Sequence, residues 1–338
     1  MALLQDHSLR SYNTFGIAVS ARHFAAIDQL EDLSALQQLS EYQTMKKLVL
    51  GGGSNILFTE NFEGLVLKVG LKGKTVVEED DHKVVLKVGA GENWHEVVQY
   101  AVERGWGGIE NLSLIPGNIG AAPIQNIGAY GIELKEVFQE LEAVNLETRE
   151  RLKFKKSDCR FGYRDSIFKR ELKGKTLITS VTLVLNKQPA FKTSYGAIEK
   201  ELQAMGVQEL SIRAISEAVI NIRQSKLPDP KEIGNAGSFF KNPVIPTTQF
   251  EALKQTFPEI VGYPAAAGTT KVAAGWLIEK AGWKGKTFDQ YGVHKRQALV
   301  LVNYGEANGK AIYDLSTEVL RSIQAQFGIE LEREVNIL

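Results

Sequence analysis

The strongest constraint on the fold is a stretch of 22 residues without a charged side chain, from residue 111 to residue 132. A helix of this length could cross a bilayer. The stretch, however, contains four glycines, two prolines and several amide side chains. Proline breaks a helix, and lipid cannot satisfy the backbone polar groups that irregular structure exposes. We therefore expect that this stretch is not a membrane helix and that the protein does not bind a membrane.

Glycine is concentrated around this stretch. Fifteen of the 31 glycines lie between Gly51 and Gly131, about a quarter of the chain. Glycine at this density indicates backbone that turns tightly or approaches a ligand closely. A loop-rich β domain and a ligand-binding wall both remain compatible with it.

Composition narrows the class of protein. A length of 338 residues is typical of two domains or one large domain, and 43% hydrophobic residues are enough for a full core. Forty basic and forty acidic side chains cancel, which argues against a nucleic-acid-binding protein. The single cysteine, Cys159, excludes an internal disulfide, and the N-terminal residues lack the apolar run of a signal peptide. We expect a cytoplasmic globular protein.

Strand and helix patterns alternate irregularly, which predicts the α+β class. Helical spacing covers about 24–41, a helix follows the N-cap Asn93, and further helices are predicted at about 215–226, 271–285 and 311–328. Strands are predicted at about 46–50, 64–69, 82–88, 176–186 and 297–303. Pro228 and Pro230 interrupt the chain after the third of these helices and predict a domain boundary.

Three common ligand motifs are absent. Gly-Lys-Thr occurs three times, but a lysine stands five residues before each glycine, where a phosphate loop requires another glycine. Gly89 and Gly91 are followed by Trp94 where a dinucleotide fingerprint requires its third glycine. The five histidines show no ligand-pair spacing, so we expect no metal site.

A triple-glycine turn is the first candidate binding segment. Gly51, Gly52 and Gly53 directly follow a predicted buried strand, and Ser54 and Asn55 follow them. Consecutive glycines can aim several backbone N–H groups into one concavity, which suits a pyrophosphate. A plain tight turn is the alternative interpretation.

The second candidate segment runs from residue 115 to residue 131. Small residues such as Gly117 and Gly120 leave thin backbone, with Pro116 before them and the amides Gln125 and Asn126 after them. Such a wall would let a flat ring with polar edges lie against the main chain and receive hydrogen bonds. An ordered loop that fills a domain interior is the alternative.

Six motifs in a fixed order connect the chain to a known family: GGGSNILF, GIENLSLIPGNIGAAPIQNIGAYG, CRFGYRDSIFK, AGSFFKNP, AAGWLIEKAG and LEREV. Together they closely resemble the UDP-N-acetylenolpyruvoylglucosamine reductases, over about residues 11–335. The resemblance implies an α+β fold that consists of an FAD-binding module of the vanillyl-alcohol-oxidase type and a C-terminal substrate-binding domain. The implied boundaries are 1–70 with 329–338 for the first FAD subdomain, 71–215 for the second, and 228–328 for the substrate domain.

The resemblance also implies a reaction. Family members use NADPH, through FAD, to reduce UDP-N-acetylglucosamine enolpyruvate to UDP-N-acetylmuramate for peptidoglycan. Hydride addition at C3 leaves negative charge at C2 and on the carboxylate, so a proton donor and charge stabilisers are needed. Ser238 matches the family's proton donor and Arg164 its catalytic arginine, whose planar fork can hold a carboxylate. Glu334 matches the catalytic glutamate, which would stabilise the carboxylate together with Arg164.

Further binding positions are carried over by the same match. Lys226 and Asn242 fall where the family grips the diphosphate and carboxylate region, and Tyr195, Tyr263 and Gln297 fall on other substrate positions. The tyrosines indicate the first type of this enzyme, in which a tyrosine loop shields the sugar nucleotide. The positions that would hold FAD are Gly51, Gly52, Gly53, Ser54, Asn55, Pro116, Gly117, Gly120, Gln125, Asn126 and Arg223.

Two features qualify the match. The missing dinucleotide fingerprint implies that NADPH shares the cleft of the sugar nucleotide, so that the half-reactions alternate in a ping-pong scheme. The family usually has an arginine two residues after the catalytic glutamate, but this chain has Asn336. A flavin contact from that arginine is therefore not carried over. We expect a monomer that binds small molecules only.

Two alternative functions remain. A flavin oxidase or dehydrogenase of the same fold would pass electrons to oxygen, but many of those attach flavin through a histidine or cysteine. The two glycine segments contain neither residue, and Cys159 lies outside them, so we expect FAD to be non-covalent. A non-catalytic flavin or sugar-nucleotide binding protein would not need Ser238, Arg164 and Glu334 together.

Overall fold

The computed structural model describes residues 2–195 and 197–338. In these ranges, strands β1–β12 are Leu4–Ser8, Ser20–Ile27, Lys47–Leu50, Ile56–Leu57, Phe62–Val69, Lys74–Glu79, Lys83–Gly89, Gly128–Ala129, Ile132–Glu133, Phe138–Asn145, Arg151–Lys155 and Thr176–Asn186. Strands β13–β20 are Gly234–Ser238, Val244–Pro246, Gly262–Pro264, Thr269–Val272, Thr287–Phe288, Tyr291–Val293, Val300–Asn303 and Asn336–Ile337. Helices α1–α7 are Leu30–Leu36, Trp94–Glu103, Ile198–Ala204, Ile212–Lys226, Thr247–Thr256, Ala274–Lys280 and Gly309–Phe327. Short 3-10 helices are Arg10–Tyr12, Ser40–Gln43, Glu110–Leu112, Ile119–Ala121, Leu134–Glu136 and Ile167–Lys169.

The chain divides into two units, and the C-terminal part of the second unit begins at Lys226. The first unit comprises the residues up to His7 with Ala21–Gly52 and Glu63–Ser225, and the second comprises Ser8–Ser20, Gly53–Phe62 and Lys226–Leu338. The division thus falls two residues before Pro228. Residues 329–338 belong to the second unit, where β20 pairs in parallel with β4.

The first unit is built on two sheets. Its four-stranded sheet has the order β1-β2-β5-β3, with β3 and β5 parallel, and its five-stranded antiparallel sheet has the order β11-β10-β12-β7-β6. Helix α2 buries its apolar side in the same core along its whole length. The main core includes Leu67, Leu86, Val88, Trp94, Val97, Val98, Leu141, Val181 and Leu183.

Helix α2 begins where the sequence predicted. The side chain of Asn93 accepts a hydrogen bond from the backbone N–H of Glu96 (3.1 Å), which satisfies one of the free donors of the first turn. The indole Nε1 of Trp94 donates to the carbonyl of Leu112 (3.0 Å). The start of the helix is therefore tied to the first residues of the uncharged stretch.

The second unit has an antiparallel sheet of order β13-β19-β18-β17 and a three-stranded sheet of order β14-β16-β15. Helix α7 begins at an Asn308 cap and ends at Gly328, whose positive φ (65°) is the left-handed conformation that favours glycine after a helix. The core of this unit includes Phe239, Phe240, Leu277, Ile278, Val293, Leu301, Ile312, Val319 and Ile323.

Most predicted elements are confirmed, but two helices are shorter than expected. Residues 24–27 belong to β2, and α1 covers only Leu30–Leu36 of the predicted 24–41. The apolar residues from 24 to 27 fit either element, and pairing of β2 between β1 and β5 selects the strand. In the same way β16 takes up Thr269–Val272, so the helix predicted over 271–285 is confined to α6.

The mixture of antiparallel sheets and helices confirms the predicted α+β class. Among the described residues, every helix is either too short or too polar to span a bilayer.

The only cysteine offers a test of the first core. Cys159 is fully buried, and burial together with nearby Asp158 raises the pKa of its thiol to about 12. The thiolate is the reactive form, so at pH 8 the folded protein should resist a disulfide reagent such as DTNB, whereas the unfolded chain should react with one equivalent. Rapid stoichiometric labelling of the folded protein would contradict this packing.

Candidate active site

The turn after β3 presses backbone against backbone. A Cβ on Gly52 would lie 2.8 Å from the Cα of Gly117 and 2.9 Å from Oδ1 of Asn118, so only glycine fits there. Gly51 has more room, with an ordinary distance of 3.5 Å to the Cβ of Ala121. The backbone N–H groups of Gly51 and Gly52 donate to no oxygen among the described residues. This donor set and its thin backbone suit an anionic ligand such as a pyrophosphate.

The segment from residue 117 to residue 120 is fixed beside the start of α2. The carbonyl of Gly117 accepts a hydrogen bond from the backbone N–H of Trp94 (2.9 Å), and the N–H of Gly120 donates to the carbonyl of Ala90 (2.9 Å). A Cβ on Gly120 would lie 2.7 Å from that of Ala90. Gly120 is therefore required for close packing of the main chain, whether or not a ligand also touches it.

Asn126 points its side chain into the protein. This residue is fully buried in a left-handed conformation, with φ at 43°. Its Nδ2 donates to Oε2 of Glu133 (3.2 Å) and to the carbonyl of Gly162 (3.0 Å), and its Oδ1 accepts from the backbone N–H of Lys135 (3.0 Å). In the described structure the Asn126 side chain therefore braces the loop that carries Arg164.

Arg164 lies at the tip of that loop with a positive φ of 54°. Its Nη2 donates to the carbonyl of Gly128 (2.8 Å), and its guanidinium lies 5.6 Å from the ring centre of Tyr163. The buried hydroxyl of Ser166 anchors the loop by donating to the carbonyl of Ile124 (2.6 Å). The predicted catalytic arginine is thus oriented against the second glycine-rich segment.

The other predicted residues of the first unit differ in exposure. Arg223 donates from Nε to the carbonyl of Leu114 (3.3 Å) and hydrogen-bonds the side chain of Tyr130, and burial lowers the pKa of Arg223. Tyr195 is half exposed, and its Cβ lies 3.3 Å from where a Cβ on Gly131 would stand. On the second segment, Pro116 is exposed and Gln125 is half-buried.

In the second unit, Ser238 ends β13. It stands opposite Val300 of β19, after an irregular pairing that includes Gly237 at a positive φ of 69°. The next residue, Phe239, is fully buried and donates its N–H to the carbonyl of Leu299 (2.7 Å). Burial of this neighbour fixes the backbone of Ser238 and leaves its own side chain half-buried.

Glu334 lies on the segment that pairs with the residues just after Ser238. Its N–H donates to the carbonyl of Phe239 (2.8 Å), and its carbonyl accepts from Nδ2 of Asn55 (3.4 Å). Phe240 and Arg333 form an antiparallel bridge beside it. The structure therefore brings two of the three predicted catalytic residues onto adjacent backbone segments of one unit.

The third glycine of the turn and Asn336 serve the same region. Gly53 has a φ of 65°, and a Cβ there would lie 1.9 Å from the carbonyl oxygen of Tyr12. Asn336 donates to the carbonyl of Asn55 from Nδ2 (2.9 Å) and from its backbone N–H (3.2 Å). Ser54, between these residues, is half-buried.

The remaining candidates are held less firmly. Oδ1 of Asn242 accepts a hydrogen bond from the N–H of Ala274, the first residue of α6 (3.0 Å). Oε1 of Gln297 accepts one from the N–H of Leu299 (3.3 Å). Lys226, at the end of α4, and Tyr263, in β15, are exposed. Cap and turn contacts thus orient the two amides, while the lysine and the tyrosine are accessible to solvent.

Sequence reasoning missed the residues that pack against Gly53. Thr14 donates its N–H to the carbonyl of Gly53 (3.0 Å), and its own carbonyl accepts from the N–H of Asn235 in β13 (3.0 Å). Thr14 therefore connects the turn to the strand that ends at Ser238. Its local sequence reads as an ordinary polar turn, so only the long-range pairing reveals this role.

Comparison with known proteins identifies the family. The family model for the UDP-N-acetylenolpyruvoylglucosamine reductase C-terminal domain matches residues 229–338, and one for an FAD binding domain matches residues 21–151. The chain is 52% identical to the UDP-N-acetylenolpyruvoylglucosamine reductase of Amoebophilus asiaticus and 49% identical to that of Flavobacterium johnsoniae, each over the full length of both proteins. This chain belongs to the UDP-N-acetylenolpyruvoylglucosamine reductase family.

A solved structure agrees on the fold. The UDP-N-acetylenolpyruvylglucosamine reductase of Thermus caldophilus matches 100% of this chain and 99% of its own, with a TM-score of 0.69 and 22% identity. The expected architecture of this reductase family, an FAD-binding part followed by a C-terminal domain, is therefore confirmed.

The close approach of Gly52 and Gly117 gives a prediction with a matched control. Gly52→Ala should lower the free energy of unfolding of the FAD-free protein by about 1–3 kcal/mol, because its methyl group would overlap fixed backbone. Gly51→Ala should change it by less than about 1 kcal/mol, because its neighbours stand at ordinary contact distance. Urea dependence of Cys159 labelling reports the unfolding of this unit. Equal effects of the two substitutions would contradict the described packing.

Proposed function

We propose that this protein uses NADPH to reduce UDP-N-acetylglucosamine enolpyruvate to UDP-N-acetylmuramate, a step in the synthesis of peptidoglycan precursors, with FAD as its cofactor. The observation that carries the proposal is the pairing of the Ser238 and Glu334 segments, in a chain about half identical to named reductases over its full length.

The chain offers residues suited to FAD. The free N–H groups of Gly51 and Gly52 would hold its pyrophosphate, and the main chain of Pro116–Gly120 would form the wall beside its ring system. Ser54, Asn55, Gln125, Asn126 and Arg223 are the other proposed contacts; for Asn126 the main chain is the available group. The flavin supplies hydride transfer between NADPH and the substrate. Non-covalent binding is expected because the one cysteine is buried.

Ser238 is the proposed proton donor. A hydroxyl is a weak acid, but the centre that forms at C2 of the substrate is basic enough to take its proton. Its backbone is fixed by buried Phe239 on one side and by pairing with β19 on the other, which limits the positions that the hydroxyl can take.

Arg164 and Glu334 are the proposed groups at the carboxylate, where negative charge develops. The bond from Nη2 of Arg164 to the carbonyl of Gly128 holds one side of the guanidinium and orients its planar fork. The backbone of Glu334 is held at its N–H and at its carbonyl, by Phe239 and Asn55. A guanidinium fixed in this way stabilises a developing negative charge without having to reorganise.

The proposal extends to the substrate and to the organisation of the chain. Lys226 and Asn242 would bind the diphosphate and carboxylate region, and Tyr195, Tyr263 and Gln297 the rest of the nucleotide sugar. NADPH would use the same cleft, so that the two substrates alternate. We further propose a cytoplasmic monomer and the three parts 1–70 with 329–338, 71–215 and 228–328.

Ser238→Ala should separate the two half-reactions. Oxidation of NADPH, seen as the loss of flavin absorbance, needs no proton at a substrate carbon and should proceed as in the wild type. Recovery of absorbance with UDP-N-acetylglucosamine enolpyruvate should slow by about 10²- to 10⁴-fold, or roughly 3–5 kcal/mol of barrier. Stopped-flow traces measure both rates. Equal slowing of both would make Ser238 structural, and no slowing of either would place the proton donor elsewhere.

A further inference from the structure

Leu114 has an unusual backbone conformation at the entrance to the second glycine-rich segment. Its φ of 59° lies in the left-handed region, which residues other than glycine seldom adopt. Two helices hold its backbone there. The N–H of Leu114 donates to Nδ1 of His95 in α2 (3.0 Å), and its carbonyl accepts from Nε of Arg223 in α4 (3.3 Å).

Helix α4 also holds the preceding residue, and α2 supports that contact. The hydroxyl of Ser113 bonds with that of Ser216 in α4 (2.8 Å), and Nε2 of Gln99 in α2 donates to the same Ser216 hydroxyl (3.1 Å). Gln99 lies one turn after His95 on α2, and Ser216 lies two turns before Arg223 on α4. The chain is thus fixed on both sides immediately before Pro116.

The hydrogen bond from Leu114 determines the state of His95. A backbone N–H can donate only to an unprotonated ring nitrogen, so His95 is neutral and carries its proton on Nε2. Burial, and next the positive charge of Arg223, lower the pKa of His95, while Glu96 acts in the opposite direction. Arg223 itself is flanked by Tyr130 and by the charge of Arg164. The surroundings therefore favour the form of His95 that accepts.

We propose that His95 is a positioning residue for the flavin site: its neutral Nδ1, together with Arg223, holds Leu114 in the left-handed conformation and so sets the path of the Pro116–Gly120 wall. The inference rests on the proposed function, because that wall is the proposed FAD contact. The strained turn at Leu114 persists only because both of its backbone polar groups are bound by side chains.

Protonation would turn the acceptor Nδ1 into a donor and remove the bond to Leu114. Burial and the charge of Arg223 hold the pKa of His95 below the ordinary histidine value of about 6.5, so the bond is fully formed above that value and is lost as the pH falls through the lowered pKa. FAD binding should therefore weaken on the acid side of that value.

Two substitutions distinguish the effect of the hydrogen-bond acceptor at residue 95 from the effect of the titrating imidazole ring. His95→Leu removes the acceptor, whereas His95→Asn places an amide oxygen near the position of Nδ1 that does not titrate. Exposed His82, in the turn between β6 and β7, provides the control His82→Asn. FAD dissociation from each full-length holoprotein is measured by the rise of flavin fluorescence on dilution, from pH 8 to pH 5.5.

At pH 8 we expect His95→Leu to bind FAD about tenfold more weakly than the wild type, since it leaves a partly buried N–H unpaired. His95→Asn should retain most of the affinity and lose the acid weakening, while His82→Asn should match the wild type throughout. Wild-type affinity and pH profile in His95→Leu, or an unchanged acid weakening in His95→Asn, would overturn the proposal. If His95→Leu does not fold, the comparison of wild type with His95→Asn decides.

Hydrogen exchange gives a reading that does not depend on FAD. In the apoprotein at pH 8, the Leu114 amide should exchange faster in His95→Leu than in the wild type, and at the wild-type rate in His95→Asn. Equal exchange of the Leu114 amide in all three proteins would overturn the proposal that His95 holds Leu114. Failure of the wild type to bind any FAD would instead refute the proposed function, and the exchange rates would still decide whether His95 holds Leu114.

Discussion

Contact between two glycine-rich segments, main chain against main chain, is the constraint on which the proposed cofactor site depends. No side chain fits between Gly52 and the Cα of Gly117. The sheet positions the first segment through β3, and α2 positions the second through the bond from Trp94 to Gly117. The N–H donors at the turn are therefore presented by rigid elements, although the turn itself consists of the most flexible residue type.

Main-chain hydrogen bonds also position the proposed catalytic residues of the second unit. The carbonyl of Phe239, next to Ser238, accepts the N–H of Glu334, and Asn55 and Asn336 hold the chain on the other side. The backbone positions of the two proposed catalytic residues are thus fixed by main-chain bonds of these residues and their neighbours. The side chain of Asn336 thereby joins the C-terminal segment to Asn55, directly before β4.

Local signals in the sequence predicted much of this and failed where distant pairing decides. Neighbouring residues encode the cap at Asn93, the long strand β12 and the interruption near Pro228. The structure has α2 directly after Asn93, β12 over the predicted residues, and the end of α4 two residues before Pro228. Residues 24–27 became a strand because two other strands pair with them. The side chain of Asn126 faces the protein, and His95 holds Leu114, for reasons that no local pattern carries. The site residues were predicted from motifs, and so the prediction omitted the residues that orient those motifs.

The most direct test of the account is an anaerobic addition in two steps to the purified protein. NADPH alone should remove the visible absorbance of the bound flavin. UDP-N-acetylglucosamine enolpyruvate, added next without oxygen, should restore it and yield one UDP-N-acetylmuramate per flavin. Absorbance that returns only when oxygen is admitted would indicate an oxidase, and a flavin that does not respond to NADPH would indicate a binding protein. Either result would contradict the proposed function.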